Sequence, residues 1–527
     1  MSKFYITTPI YYVNSDPHIG HAYTNIIADC MARFRRIKGD EVYFLTGTDE
    51  HGEKIKKVAE SSGEDVSEFV AKYAQNFKDL WGKLNISYDF FIRTTQTFHK
   101  EVVSKIITII ADKGDIYKEK YKGYYCIPCE SFWTESQINS VRDAKDTIQK
   151  NKISNGVKEH GYSCPDCKRE VKILEEDNYF LRLSKYQDWL IEHLKNNPDF
   201  VKPKTRYNEV LSFLEKNKLE DLCISRPKKR LSWGVDFPLD NNYVVYVWFD
   251  ALINYLSGVG FGDDKKKFDS FWPADIHYMA KDIIRHHAIY WSIMLKAAGL
   301  ELPKVIFAHG WWKFEGEKIS KSRGNIVNPL DLIKVIGVDS LRYFLLREVP
   351  VGLDGHFSWG AIVNRINSDL ANDLGNLVYR TLNMTEKYLK GEAKPLSRKV
   401  AHEFLEPLDF LKSNYSEHME KGDFSLALEL VFKFINVINK YIEDTKPWKL
   451  YKEKKIDEIK NFLYCLLEGI RIIAIYIYPF MPQTCESIMR QLGIEKSTVS
   501  LSDAQWAGKK DFVIKKESPL FPRIDVD

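Results

Sequence analysis

The feature that most limits how this 527-residue chain can fold is a rhythm that starts, stops and resumes. Phe4 to Ile10 reads as a strand, and His18 to Arg36 as a helix with Ile19, Tyr23, Ile26, Cys30 and Phe34 on one stripe. Gly39-Asp40 turns the chain, and Val42 to Leu45 is a short buried strand before Thr46-Gly47-Thr48-Asp49. Helices fit 66–84 and 98–113, the second stopped by Lys113-Gly114. Such alternation predicts a parallel sheet with helices on its faces. It breaks after Gly114, where residues 115–225 carry two cysteine pairs and a polar spacer from Val141 to His160, the pattern of an insertion. It resumes with a β-rich run from Tyr243 to Phe249, helices over 250–257 and 282–298, and a strand over 304–308. From about residue 360 onward the pattern is helical. Ile362, Ile366, Leu370, Leu374 and Leu377 form one stripe, and Ala427, Val431, Phe434, Ile438 and Tyr441 another, which predicts a helical bundle.

Composition narrows the setting. With 77 basic and 73 acidic residues the net charge is +4, which excludes a global polycation but leaves room for a local basic track. Thirty Phe, 29 Tyr and 12 Trp exclude disorder as the dominant state. Eight cysteines are too few for a disulfide scaffold. Cys30, Cys223, Cys465 and Cys485 stand singly and read as small buried hydrophobes. The opening MSKFYITTPI has no secretory or transit pattern, and the apolar stretch Ile472 to Met481 is too short to span a bilayer. A reducing, cytoplasmic setting without a membrane partner is the expectation.

Three segments carry chemistry. Cys126-Ile127-Pro128-Cys129 and Cys164-Pro165-Asp166-Cys167 are paired C-x-x-C motifs. Four thiolates so spaced suit tetrahedral zinc with no open position, a structural ion that folds an insertion too small for its own core. Pro17-His18-Ile19-Gly20-His21 falls where the first strand meets the first helix. A helix start presents unpaired N–H groups and attracts phosphate, and histidines three apart share a face and donate to its oxygens. Metal ligation or plain surface placement stays open for the two histidines alone. Gly316 to Gly324 is a glycine-bracketed basic run containing Lys318 and Lys321. Mobile lysines suit a transferring triphosphate, delivering charge mainly in the transition state.

The histidine and lysine motifs together resemble the two signatures of the class I aminoacyl-tRNA synthetases. Further words, Thr8 to Asn14, Thr46 to Gly52, Val247-Trp248-Phe249-Asp250-Ala251 and His309-Gly310-Trp311-Trp312, look like the methionyl branch of that family. The resemblance runs to about residue 450. It implies a doubly wound, Rossmann-like α/β catalytic domain split by a zinc-binding connective insertion and followed by an all-α anticodon-binding bundle. The boundaries are then 1–114 and 226–315 for the catalytic halves, 115–225 for the insertion, 316–359 for the lysine-loop linker and 360–527 for the bundle. It implies ligation of L-methionine to tRNA(Met) with ATP and Mg, through an adenylate. His18, Gly20, His21, Asp282, Lys318 and Lys321 would hold ATP. Ile10, Tyr12, Asp49, Arg226, Trp248, Ala251, Leu252, Tyr255, Ile283 and His287 would hold methionine. In that set the Tyr255 hydroxyl and the Ile10 N–H meet sulfur, Asp49 holds the ammonium, and Arg226 neutralises Asp49 or the carboxylate. Leu252 stands where some members carry Pro.

For RNA, Asn372, Asn376 and Arg380 recur every fourth residue and share a helical face, while Trp448 follows Pro447. The resemblance matches Asn376, Arg380 and Trp448 to contacts with a CAU anticodon. Arg226, Lys228, Lys229 and Arg230 form a basic cluster for phosphate or for solvent. The insertion has no room for an editing domain, and the chain ends near Pro522-Arg523-Ile524, where some relatives begin a dimerising barrel, so a monomer is expected. The rival readings are another class I synthetase of the cysteine or leucine type, a non-catalytic tRNA-binding paralogue, and a plain nucleotidyltransferase.

Overall fold

The computed structural model describes residues 2–127, 131–133, 138, 162–165, 168–314, 317–318, 328–397, 399–495 and 499–525. Its centre is a six-stranded sheet of β1 (Lys3–Tyr12), β2 (Glu41–Asp49), β3 (Phe90–Arg93), β4 (Val201–Lys202), β5 (Ile276–Ala280) and β6 (Val305–His309). The order is β3-β2-β1-β5-β6-β4, and every neighbouring pair is parallel. Side chains alternate between two cores. Phe4 and Ile6 enter one with the helices Ile19–Lys38 and Val66–Lys83, and Tyr5 enters the other with Thr97–Asp112. On one side β2 and β3 wind outward from β1, and on the other β6 follows β5 outward, with the earlier β4 added at its edge. That reversal opens a crevice at the carboxyl ends of the strands.

Four differences from the sequence expectations have physical reasons. The run Tyr243 to Phe249 is not one strand: Tyr243–Val245 pairs antiparallel with Ser225–Pro227, and Val247–Leu252 is a helix. A short apolar run is buried in either form, so its pattern does not discriminate. Residues 115–225 are not all insertion. Ile116–Cys126, Ser131–Trp133, Lys172–Leu181 and Leu222–Cys223 form a separate antiparallel sheet, but β4 joins the central one. The flanking helices Gln187–Asn196 and Lys204–Lys216 bury Leu190, Leu194, Tyr207, Val210 and Leu214 in the same core as Tyr5. The helix Glu53–Ser62 and the strand β3 had no legible period. Ile366–Gly375 is π-helical, a wider turn than the stripe predicts, and the helix Asn376–Leu389 follows directly.

The bundle comprises the helices His402–Lys421, Phe424–Thr445, Pro447–Lys452, Ile456–Ile477 and Pro482–Gln491. Ala427, Val431, Phe434 and Ile438 are buried as their spacing predicts. The bundle shares one continuous core with the first helix. A buried guanidinium joins them: Arg342 Nη2 donates to Asp29 Oδ2 (2.7 Å) and to Pro479 O (3.0 Å), and Nε donates to Phe480 O (2.8 Å). Arg33 donates to the same Asp29 oxygen at 2.8 Å. Burial pushes the Asp29 carboxyl up, but the two guanidiniums and Ser87 outweigh it and hold it down to about 2. The four single cysteines are all buried. Among the described residues no helix is long and apolar enough to cross a membrane.

Candidate active site

The crevice is a cavity of about 570 Å³ lined by the ends of β1, β2, β5 and β6 and by the start of the first helix. Its position follows from the strand order. The register of β1 against β2 shifts between Thr7 and Ile10, an irregularity over Thr8–Pro9 that contains a proline with no N–H to pair. Ile10, Tyr11 and Tyr12 continue beyond it into the cavity wall. Asp49, Ala280, Asp282, Ile283 and His309 come from the ends of the neighbouring strands.

The two histidines of the first motif build the helix start itself. His18 is the N-cap, extended at φ −126° and ψ 175°, and its Nδ1 accepts the Gly20 N–H at 3.1 Å. His21 Nδ1 accepts the His18 N–H at 3.3 Å, a reciprocal capping box. Since both Nδ1 atoms are acceptors, the proton of each neutral ring sits on Nε2. The rings stack 3.8 Å apart and both line the cavity beside an N-terminus with no acidic residue in its first turn. Donor edges and a positive helix end therefore converge where an anion is favoured. A Cβ on Gly20 would sit 2.9 Å from His18 Cε1, so the glycine is needed first by the histidine cap.

The opposite wall is aromatic. Trp248, Ala251 and Leu252 lie on the helix Val247–Leu252, and Trp248 stacks on His286 with centroids 3.8 Å apart. Tyr255 is buried, stacked on His277 at 4.1 Å and hydrogen-bonded to His287 Nε2 at 2.8 Å. His287 Nδ1 lies 3.0 Å from Ile283 O and donates to it, so Nε2 accepts and the Tyr255 hydroxyl donates. Burial lowers His287 to about 4 and His309 to about 4, so both stay neutral at pH 7. A neutral, polarizable slot with one fixed hydroxyl suits an apolar substrate with a single soft polar atom.

The predicted residues do not all meet in one place. Ile10, Tyr12, His18, Gly20, His21, Asp49, Trp248, Ala251, Leu252, Tyr255, Asp282, Ile283 and His287 all line this one cavity. Arg226 is not among its lining residues. It is buried in the strand Ser225–Pro227, donating to Ser225 O at 2.7 Å with its guanidinium 4.4 Å from the Tyr246 ring. Lys318 is described by its backbone alone, in a two-residue strand antiparallel to Lys313–Phe314. Lys321 lies outside the described residues, as do Cys129 and Cys167. Cys126 and Cys164 are both fully buried in one small cluster with Ile138 and Val171. Among the described residues no three potential ligands are grouped for a metal.

Sequence reasoning missed the support behind the walls. Asp250 takes His51 Nδ1 at 2.7 Å and His99 Nε2 at 2.8 Å, tying the Trp248 helix to the segment after Asp49. Burial alone would raise Asp250, but the two histidines outweigh it and hold it down to about 2. His309 Nε2 meets the Thr24 hydroxyl at 2.7 Å. Arg169, on the turn after Cys164, lines the cavity although it belongs to the insertion. His309, Asp250 and His51 stand in the motif words, which gave no sign of their support role; His99, Thr24 and Arg169 come from remote segments.

On the bundle side, Asn376 is exposed at the head of its helix, and Arg380 Nη2 donates to Glu443 Oε1 at 2.7 Å. Trp448 follows Pro447, which starts the helix Pro447–Lys452, and is 41% exposed. Tyr451, 42% exposed, stacks on Tyr388 at 4.5 Å. The basic cluster is largely neutralised: Lys228 pairs with Asp236 at 2.6 Å and Arg230 with Glu176 at 3.0 Å.

A doubly wound sheet with paired histidines at its first helix start, extended by a helical bundle, defines a nucleotide-dependent ligase of the class I synthetase type. Residues 4–382 match the family described as tRNA synthetases class I (M), to which the chain belongs, and residues 401–522 match the anticodon-binding domain of tRNA ligase. The chain is 46% identical to a methionine–tRNA ligase of Caldanaerobacter subterraneus, over 99% of this chain and 79% of that protein. It is 44% identical to that of Thermotoga maritima, over 99% and 80%. A Mycobacterium tuberculosis methionyl-tRNA synthetase in complex with methionyl-adenylate superposes with a TM-score of 0.91 at 40% identity, covering 99% of this chain and all of that one.

Proposed function

We propose that this chain ligates L-methionine to tRNA(Met) with ATP, through methionyl-adenylate. The observation that carries this is the single cavity with a phosphate-attracting helix start on one side and the neutral Tyr255–His287 slot on the other. A methionine carboxylate oxygen attacks the α-phosphorus of ATP. The bond to the bridging oxygen breaks and pyrophosphate leaves, with Mg travelling on the nucleotide. The terminal ribose hydroxyl of tRNA then attacks the activated carbonyl, and AMP leaves. No protein nucleophile is required, so the residues act by position and charge. His18 and His21 donate to phosphate oxygens, Lys318 and Lys321 add charge as the leaving group departs, and Asp49 holds the methionine ammonium. The Tyr255 hydroxyl and the Ile10 N–H meet the sulfur. Asp282 and Gly20 border the nucleotide. Arg226, behind the wall, acts on the carboxylate only through its neighbours.

Cys126, Cys129, Cys164 and Cys167 would hold one zinc ion, and the shared burial of Cys126 and Cys164 fits a thiolate site. Bound zinc would supply cross-linking of the insertion, which also places Arg169. Elemental analysis finding no zinc in a folded, active preparation would remove this assignment. Asn376, Arg380 and Trp448 read the anticodon, a monomer is the working unit, and the cytoplasm is its compartment. Charging assays with each amino acid and with tRNAs of differing anticodon test the whole reading. Methionine and a CAU anticodon should be preferred, and faster charging with cysteine or leucine would overturn it.

A further inference from the structure

The turn at residues 350–355 contains a carboxylate that the reaction described above does not use. Asp354 accepts from Lys281 Nζ at 2.7 and 2.8 Å, from Lys313 Nζ at 2.8 Å and from the Trp311 N–H at 2.9 Å. Its donors come from three places. Lys281 follows β5 directly, next to the cavity residue Asp282. Trp311 follows β6, lines the cavity, and gives its Nε1–H to Asp282 Oδ1 at 3.1 Å. The Lys281 ammonium also lies 4.2 Å from the Trp311 ring centre. Lys313 sits in the strand Trp312–Phe314 and is register partner of both His356 and Lys318.

The backbone leaves this turn little freedom. Gly310 N–H donates to Val351 O at 2.9 Å and Gly355 N–H to Trp311 O at 2.8 Å. A Cβ on Gly310 would fall 2.0 Å from Leu353 O, so the 350–355 turn is seated directly on the end of β6. Burial pushes the Asp354 carboxyl up, but its hydrogen bonds to Lys281 and Lys313 outweigh this and keep it ionised well below the usual carboxylate range.

We propose that Asp354 is a positioning residue for adenylate formation, a three-way clamp that sets the strand beside the lysine segment against the nucleotide end of the cavity. It touches no reacting atom. It fixes Lys313, and through the 313–318 register it fixes the backbone that presents Lys318. Through Lys281 and Trp311 it fixes Asp282. The methionine slot of Trp248, Tyr255 and His287 is carried by other elements and is not part of the clamp. This inference rests on the function proposed above.

The test is steady-state ATP–pyrophosphate exchange with the full chain, comparing wild type, Asp354→Asn, Asp354→Glu and Lys313→Met. Asp354→Asn keeps the shape and removes the charge. It should lower kcat about tenfold or more and raise the KM for ATP several-fold, with the KM for methionine within about twofold. Asp354→Glu should recover part of the kcat, and Lys313→Met should show the same pattern more weakly. Unchanged kcat in both Asp354→Asn and Lys313→Met, or a KM for methionine that rises as much as the KM for ATP, would overturn the clamp. Should Asp354→Asn unfold, Lys313→Met decides alone. Wild type that shows no methionine-dependent exchange would instead sink the functional reading and not the clamp.

Discussion

The buried pair Tyr255 and His287 shows how much one proton position decides. Ile283 O takes the Nδ1 proton, so His287 Nε2 accepts and the tyrosine hydroxyl donates. Tyr255→Phe removes one hydrogen bond and leaves Nε2 buried without its donor. That bond is present with or without substrate, so its loss costs about 1–2 kcal/mol of stability, while the loosened slot wall should raise the KM for methionine with kcat little changed. An equal fall in kcat would show that Tyr255 acts in the chemical step. The pair also fixes a pH response. His287 is lowered to about 4 from an ordinary value of 6.5, so folding favours its neutral form. Its contribution to stability is full above 6.5 and is lost as pH falls from there toward 4. The KM for methionine should therefore stay flat from pH 8 to about 5 and climb only near the lowered value. Titration of methionine binding centred near 6.5 would contradict the buried neutral state.

Elements were legible in the sequence where one period ran long enough. The first helix, the helices near 66–84 and 98–113, and the Ala427 to Ile438 stripe appear where their spacing puts them. Short pieces were not legible. β3 has four residues and β4 has two, and both depend on neighbours distant in sequence. The Val247–Phe249 run is helical because Tyr246 ends the strand pairing, a tertiary choice that apolar content does not reveal. The cavity set was legible because motif words end strands and start helices. Arg226 does not line that cavity; its buried guanidinium lies against the Tyr246 ring. The clamp and the Asp250–His51–His99 support join segments that no local pattern connects. At this scale the short helix Pro447–Lys452 carries a separable prediction. Trp448 is exposed and remote in sequence from every cavity residue, so Trp448→Ala should slow tRNA charging about tenfold or more and leave pyrophosphate exchange unchanged. A matching loss of exchange would place Trp448 in the fold and not on the RNA.

Across the whole molecule, the catalytic sheet and the bundle are one packed body. Their junction centres on Arg342, fully buried and bonded to Asp29, Leu84, Pro479 and Phe480. Arg342→Ala leaves Arg33 and Ser87 on Asp29 but takes the donor from the buried Phe480 and Pro479 carbonyls and one of two cations from the carboxylate, so it should cost about 3–5 kcal/mol and lower the unfolding midpoint. Arg342→Lys, which keeps a cation beside Asp29, should lose less than Arg342→Ala, and equal losses would contradict the pairing. The net charge of +4 gives the surface no global attraction for RNA, and Lys228 and Arg230 are paired with Asp236 and Glu176. Under the proposed function, tRNA recognition would rest on local contacts and not on a global field. The central claim is that one cavity holds methionine and ATP together without help from tRNA. Methionine-dependent ATP–pyrophosphate exchange in the absence of tRNA tests this most directly. Exchange should appear with methionine and fall to background with leucine, isoleucine or cysteine. No exchange with methionine, or faster exchange with one of the others, would contradict it.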